Sequence, residues 1–363
     1  MRLSRSLSLY LAGNFARNAV LVFVGAFFLM LMIDLMELGR QAAELDVPFD
    51  VVVAISTMRL PTLAEQLLPF AVLIGAIISL VALTRRSELV IARASGVSAW
   101  QFLLPLLIVA TGLGIAASLV YNPLAAAAKQ RSDALLAEQF AGGGVTVDPD
   151  REIWFRQSLP DGGSAIVRAV SALNGGQQLN SMSALIFGAG GTFIERIDAQ
   201  TGLLDDGVWR LSAVTRTDPD GIQQSQPTAE LPTPLTANEV IGRFTPANHA
   251  PIWILPELSA KAMQAGLSPD RYRFQFQALL ARPMLLMAMV LVAATVSLRF
   301  SRHGGTTPLV VAGLSAGFVV FVINEIAGDL GSAGLVAPLL AAWVPPVAAA
   351  LFGVTALLHL EDG

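Results

Sequence analysis

Cysteine is absent from all 363 residues. That excludes disulfides, thiolate metal sites and cysteine nucleophiles together. Lysine is nearly absent too: only Lys129 and Lys261 occur, and neither follows a glycine. The G-x-x-x-x-G-K-[ST] cradle for nucleotide phosphates therefore cannot form, and the chain is not expected to hydrolyse ATP or to bind a cofactor of its own. Charge is sparse, at 14% Asp, Glu, Lys and Arg against roughly 25% in soluble domains. With 54% hydrophobic residues, a soluble chain could not cover its own core, so a bilayer is the expected solvent. The net charge of −4 argues against a nucleic-acid partner, which would call for a clustered basic face. The three histidines, His249, His303 and His359, lie far apart and make no metal-ligand spacing.

What the chain has instead is long apolar runs. Residues 11–35, 102–121, 283–298, 309–326 and 335–358 each approach or exceed the ~20 residues that cross the hydrocarbon layer. The run at 283–298 extends backward through Phe276, Leu279 and Leu280. A sixth run, 60–83, is interrupted by Pro61, Glu65 and Pro69 but continues unbroken from Phe70. Such polar interruptions are tolerable where they face protein or water. The first run is too long for a signal-peptide core and is followed by Asp34, Met36 and Glu37 rather than small residues, so it reads as a retained helix.

Arginine sets the orientation. Arg2, Arg5, Arg85, Arg86, Arg93, Arg299 and Arg302 fall on one side, while the opposite short loops, 37–50 and 327–334, carry only Arg40. The positive-inside rule puts both termini in the cytoplasm and the long insertion, 122–272, outside. The expected organisation is three helices in 1–122, an external domain in 123–271 and three helices in 272–363.

The insertion changes character after a short polar helix at 125–140. Alternating stretches at 152–157, 165–171, 183–187, 192–198 and 209–215 are bounded by turn residues such as Pro160-Asp161-Gly162-Gly163 and Asp218-Pro219-Asp220-Gly221. Asp206-Gly207 reads as a tight hairpin turn. Short strands at this spacing imply a sandwich or jelly roll. A proline-rich stretch and a helix at 255–266 then lead back to the membrane.

Gly313-Leu-Ser-Ala-Gly317 matches G-x-S-x-G in letters alone. A nucleophile needs a strand-to-helix elbow, whereas these residues lie inside an apolar run and read as small-residue helix packing. The segment from Thr84 to Gly96 is more informative. It reads as a short helix at about 85–96 with a charged end, an apolar flank and Gly96 as its stop. Such a helix suits docking into a groove of another protein and equally suits lying on the membrane surface with an Arg85–Glu88 pair.

At this segment the sequence resembles a known family. Arg86-Ser-Glu-Leu-Val-Ile-Ala-Arg-Ala-Ser-Gly-Val-Ser98 is similar to the coupling segment of the LptF/LptG permeases of lipopolysaccharide export, and its wording is closer to LptG-type members. Leu60-Pro61 through Pro69, Asp206-Gly-Val-Trp-Arg-Leu211, Gly317-Phe-Val-Val-Phe321, Asn324-Glu325 and Pro338 through Pro345 continue the resemblance. It implies six transmembrane helices with an inserted periplasmic jelly roll, and an export subunit in the inner membrane of a Gram-negative bacterium. It also implies an LptF-like permease, a dimer of an LptB-like ATPase using ATP and magnesium, a membrane-anchored LptC-like jelly-roll protein, and lipopolysaccharide as cargo. Glu88, with Arg86, Ser87, Leu89 and Arg93 around it, would then meet the ATPase. The cavity candidates are Asp34, Glu37, Arg40, Arg59, Phe318 and Phe321. One departure stands out: family members commonly carry basic residues at the outer end of helix one, where this chain has Asp34 and Glu37 beside Arg40. Two other readings fit the residues: an LptF-type subunit of the same complex, and a membrane sensor or scaffold whose external domain binds a ligand.

Overall fold

The computed structural model describes residues 5–43, 47–85, 88, 98–139, 153–160, 162–173, 177–205, 207–234, 247, 250–264, 268–299 and 307–362. The apolar runs become helices because a chain in lipid must satisfy every backbone polar group internally. Among the described residues, six helices are long and apolar enough to cross a membrane, matching the six runs. α1 is Arg5–Ala43. At 1.5 Å per residue it is about 58 Å long, nearly twice the ~30 Å hydrocarbon layer, so much of it stands clear of the bilayer.

The run expected at 60–83 is two helices, α2 (Phe49–Glu65) and α3 (Leu68–Arg85). Proline places the break. Pro69 has no N–H to give the carbonyl four residues back, which belongs to Glu65, and α2 ends at that residue. The third run, α4 (Ala99–Ala116), does not stop at Asn122. It passes through a π-helical turn, Ala117–Tyr121, into α5 (Asn122–Gln139). The wider turn also accommodates Pro123, whose i−4 carbonyl lies within it. α2 packs along both α5 and the Ala43 end of α1, around Leu38, Ala42, Val52, Ile55 and Leu136.

After the insert come α6 (Leu255–Gln264), α7 (Asp270–Arg299), α8 (Thr307–Ser332) and α9 (Pro338–Asp362). α3 and α7 are the most enclosed spans, and small residues bring their neighbours close. A Cβ at Gly75 would lie 2.6 Å from the Ala19 backbone, and one at Gly114 2.5 Å from that of Pro283. Pro283 leaves the Leu279 carbonyl without its helical donor, and the Ser118 hydroxyl donates to it at 2.6 Å. Asn18 donates to Ser79 at 2.8 Å, tying α1 to α3. The Gly313 and Gly317 faces of α8 lie against Ile77 and Leu73 of α3, while Ser315 is exposed. The G-x-S-x-G letters are helix packing.

The insert forms one antiparallel meander in the order β1-β2-β3-β4-β5-β6. The strands are β1 (Ile153–Ser158), β2 (Ser164–Leu173), β3 (Gln178–Phe187), β4 (Phe193–Asp205), β5 (Val208–Thr217) and β6 (Gln223–Pro232). A sandwich or jelly roll was expected; the insert is all-β, and the described strands make a single antiparallel sheet that is not closed, which does not confirm a jelly roll. The hairpin turn expected at Asp206-Gly207 joins β4 to β5, with Gly207 at φ +78°. The sheet curls. Phe155 on β1 meets Trp209 on β5, ring centroids 6.5 Å apart, over Ala165, Ala169, Ala184 and Ala199, whose small size leaves room for the indole. Between the edge strands, Gln157 donates to the Pro232 carbonyl at 3.1 Å and accepts from the Thr233 hydroxyl at 2.7 Å.

A crease makes the curl possible. Ladder pairing is interrupted along Val170, Ser181, Gln200, Ala213 and Pro227, and Ser181 and Ala213 take φ of +49° and +53°. Across this row the buried positions change parity, from Ile197 and Ala199 to Gly202 on β4 and from Trp209 and Leu211 to Val214 on β5. Both halves thus present apolar residues to the same interior. A left-handed alanine costs about 1–2 kcal/mol, partly offset by the greater chain entropy of glycine. Ala213 is exposed, so Ala213→Gly should raise insert stability by about 0.5–1 kcal/mol in urea unfolding followed by Trp209 fluorescence. Ala199→Gly, at ordinary strand geometry, should lower it.

Candidate functional site: the α1–α3–α8 face and the polar junction

Depth in the membrane follows from helix length. Glu65 lies roughly 20 residues from Arg85 at the far end of α3, Asn122 roughly 23 from the start of α4, and Arg282 roughly 17 from the end of α7. Each distance is about one hydrocarbon thickness. The three residues meet there. Arg282 Nη1 donates to Glu65 Oε1 in a salt bridge, Asn122 donates to the same carboxylate oxygen at 3.3 Å, and the Ile252 N–H donates to Asn122 Oδ1 at 3.2 Å. Tyr121 adds a hydrogen bond to the Pro61 carbonyl at 2.9 Å. The junction joins both helical halves to the chain returning from the insert. Sequence reasoning noticed Glu65 only as an interruption and missed Arg282; the available signal was an acid within one apolar run and an arginine at the edge of another.

The cavity candidates separate into pairs. Asp34 and Arg59 form a salt bridge of 2.7 Å inside the α1–α2 joint, with side chains 6% and 17% exposed. Glu37 and Arg40 pair at 3.1 Å on the surface, and Gln41 donates to Glu37 at 2.7 Å. Both acids near the Ala43 end of α1 therefore have cationic partners within this chain. Phe321 packs on Phe70, ring centroids 4.8 Å apart, whereas Phe318 is exposed. The structure does not bring the six residues into one site.

Of the residues expected to meet an ATPase, Glu88 is helical and partly exposed; Arg86, Ser87, Leu89 and Arg93 lie outside the described residues. α3 leads directly into this segment, with Arg85 in its last turn.

Packing singles out one face. Only 11% of the spans in α1 and α8 is buried, against 39–56% in the other four. Both flank α3. Leu21, Phe28, Leu29 and Met36 on α1, and Val311, Phe318, Val319 and Ile323 on α8, are all more than half exposed. Grooves of about 500 and 530 Å³ run on either side of α3 near its Arg85 end and share Ile78 and Ala82. The first contains Asn14 and Arg17, which hydrogen-bond at 2.9 Å. Arg17 is a charged residue inside a span that sequence reasoning did not single out.

Six apolar spans, two of them laterally bare, with a curled sheet inserted between the helical halves, describe a polytopic permease subunit with an extramembrane β domain. The profile of one family, described as lipopolysaccharide export system permease LptF/LptG, matches residues 9–359. The chain belongs to that family. It is 24% identical over 308 residues to the lipopolysaccharide export system permease protein LptG of Escherichia coli (strain K12), covering 83% of this chain and 84% of the relative. The LptG protein of Escherichia coli O6:H1 matches to the same extent.

Proposed function

We propose that this chain is the LptG-type permease of a lipopolysaccharide exporter in a Gram-negative inner membrane, with both termini cytoplasmic and residues 123–271 in the periplasm. The observation that carries the reading is the pair of bare spans, α1 and α8, beside an α3 that ends at the coupling segment. An LptF-like subunit would face those spans, and the two would enclose an apolar chamber. An LptB-like ATPase dimer, using ATP and magnesium, would push on residues 85–96, with Glu88 as the main contact. Movement of α3 would narrow the chamber and withdraw shelter from the acyl chains, at roughly 0.8 kcal/mol per methylene. The chains would then pass to the curled sheet, whose interior is apolar, and onward through an LptC-like protein; a jelly roll completed with such partners fits the open meander.

Extraction in mild detergent followed by identification of co-purifying chains tests this. An ATPase and a second permease are expected. A kinase or other regulator instead, or nucleotide hydrolysis by this chain alone in liposomes, would overturn it.

A further inference from the structure

α1 borders a further apolar feature, separate from the two grooves near the Arg85 end of α3. A cleft of about 290 Å³ lies between α1, α3 and the π turn of α4. Val72, Leu113, Ala116 and Ala117 are among its aliphatic walls, and the carboxylate of Glu65 is the one charged group along it. Phe23 of α1 and Tyr121 of the π turn meet edge to face across it, centroids 6.0 Å apart. On its open side Val20, Val120 and Leu124 are 50%, 59% and 66% exposed.

Its dimensions identify what fits. The α4–α5 wall runs from Leu113 to Leu124, about 16 Å at 1.5 Å per residue. That is one leaflet of a ~30 Å hydrocarbon layer. Depth agrees: Glu65 and Asn122 mark the insert-side boundary, and the backbone contact of Gly75 with Ala19 lies about ten residues below, near the bilayer centre. Spread over that length, the volume gives a mean cross-section of ~18 Å², room for a single extended chain but not for the body of a helix 10 Å across, which could only lie over the open side. Water gains nothing from an apolar wall, and an unfilled void would forfeit dispersion contacts along its whole lining.

We infer that the cleft holds one acyl chain of a glycerophospholipid from the insert-side leaflet. A multiply phosphorylated glycolipid is disfavoured because no cation is among the described residues lining the cleft, and the carboxylate at its rim is already held by Arg282 and Asn122. The π turn supplies the site by widening α4 where the chain lies, in keeping with the occurrence of such turns at functional positions. The bound chain packs α1 against α4 where their side chains leave a gap.

The test uses the full chain, with its co-purifying subunits, in nanodiscs of phosphatidylethanolamine carrying a diazirine midway along one acyl chain. After irradiation, adducts are mapped by mass spectrometry. Adducts are expected on Leu113, Ala116 and Val120. They should fall at least tenfold in Ala116→Phe, which fills the cleft from an exposed position, while labelling of the outward-facing Ile108 persists. Native mass spectrometry should show one phospholipid fewer per chain in Ala116→Phe and no loss in the control Leu21→Phe. Adducts confined to Leu21 and Phe28, unchanged cleft labelling in Ala116→Phe, or cleft labelling from a photoactivatable lipopolysaccharide but not from the phospholipid would each overturn the assignment. The inference rests on the membrane-spanning reading alone, so its failure would leave the export reading standing.

Discussion

Arg282→Ala should destabilise the protein by about 3–5 kcal/mol, the cost of leaving a buried charge without its partner. The Glu65 side chain is 8% exposed and that of Arg282 19%, so water cannot replace the lost guanidinium. Asn122 would remain as a neutral donor to a full negative charge, which is insufficient. The double substitution Glu65→Leu with Arg282→Met should recover most of the loss, because apolar replacements of a buried pair are often neutral or stabilising. Arg40→Ala provides the contrast: its pair with Glu37 is exposed, with side chains 67% and 55% accessible, and no measurable change is expected. Equilibrium unfolding of the detergent-solubilised protein, followed by tryptophan fluorescence, orders the three variants. Equal stability of Arg282→Ala and Arg40→Ala would remove the junction as an organising feature.

The junction also shows what a single sequence can and cannot reveal. The six spans were legible because each is a long apolar run, and lipid permits few alternatives to a helix. The Asp206-Gly207 hairpin was legible because positive φ demands such residues. β6 was not. Its sequence, Gln-Gln-Ser-Gln-Pro-Thr-Ala-Glu-Leu-Pro, lacks hydrophobic alternation, since most of its side chains are exposed and only pairing with β5 defines it. Pro227 argued against a strand, yet it sits at the crease, where the ladder needs no N–H. The crease itself has no local signature, because Ser181 and Ala213 are held at positive φ by their neighbours.

The helical breaks were partly readable. Pro61, Glu65 and Pro69 marked the sixth run as interrupted, but which proline breaks the helix depends on packing: α2 passes through Pro61 and stops before Pro69. Asn122-Pro123 read as a boundary, and the π turn carried the helix through it. For the site, local patterning found Asp34, Glu37 and Arg40 on one helix face. It did not pair Asp34 with Arg59, 25 residues away on α2. Ion pairs between helices are properties of the fold, and the sequence shows only that the charges need partners somewhere.

The second large effect is expected at Glu88. α3 is both the helix that enters the proposed coupling segment and one of the two most enclosed spans. A displacement at its Arg85 end therefore has no slack to absorb it. It passes to α1 through the Gly75–Ala19 backbone contact and to α8 through Gly313 and Gly317, and these are the two bare walls of the proposed chamber. Glu88→Arg reverses the charge at the point where that displacement would be applied. A hydrogen bond to a charged group is worth about 1.5–3 kcal/mol, or roughly 10- to 150-fold in binding, and reversal adds repulsion to its loss. Glu88→Arg should therefore abolish co-purification of the ATPase or its lipid-coupled turnover. Glu88→Gln, which keeps an acceptor oxygen, should be intermediate. The stability of the solubilised chain should not change in either variant, since Glu88 is partly exposed. Unchanged co-purification together with unchanged coupled turnover in Glu88→Arg would remove this segment as the point of force transfer. The bare faces of α1 and α8 would then need a different explanation.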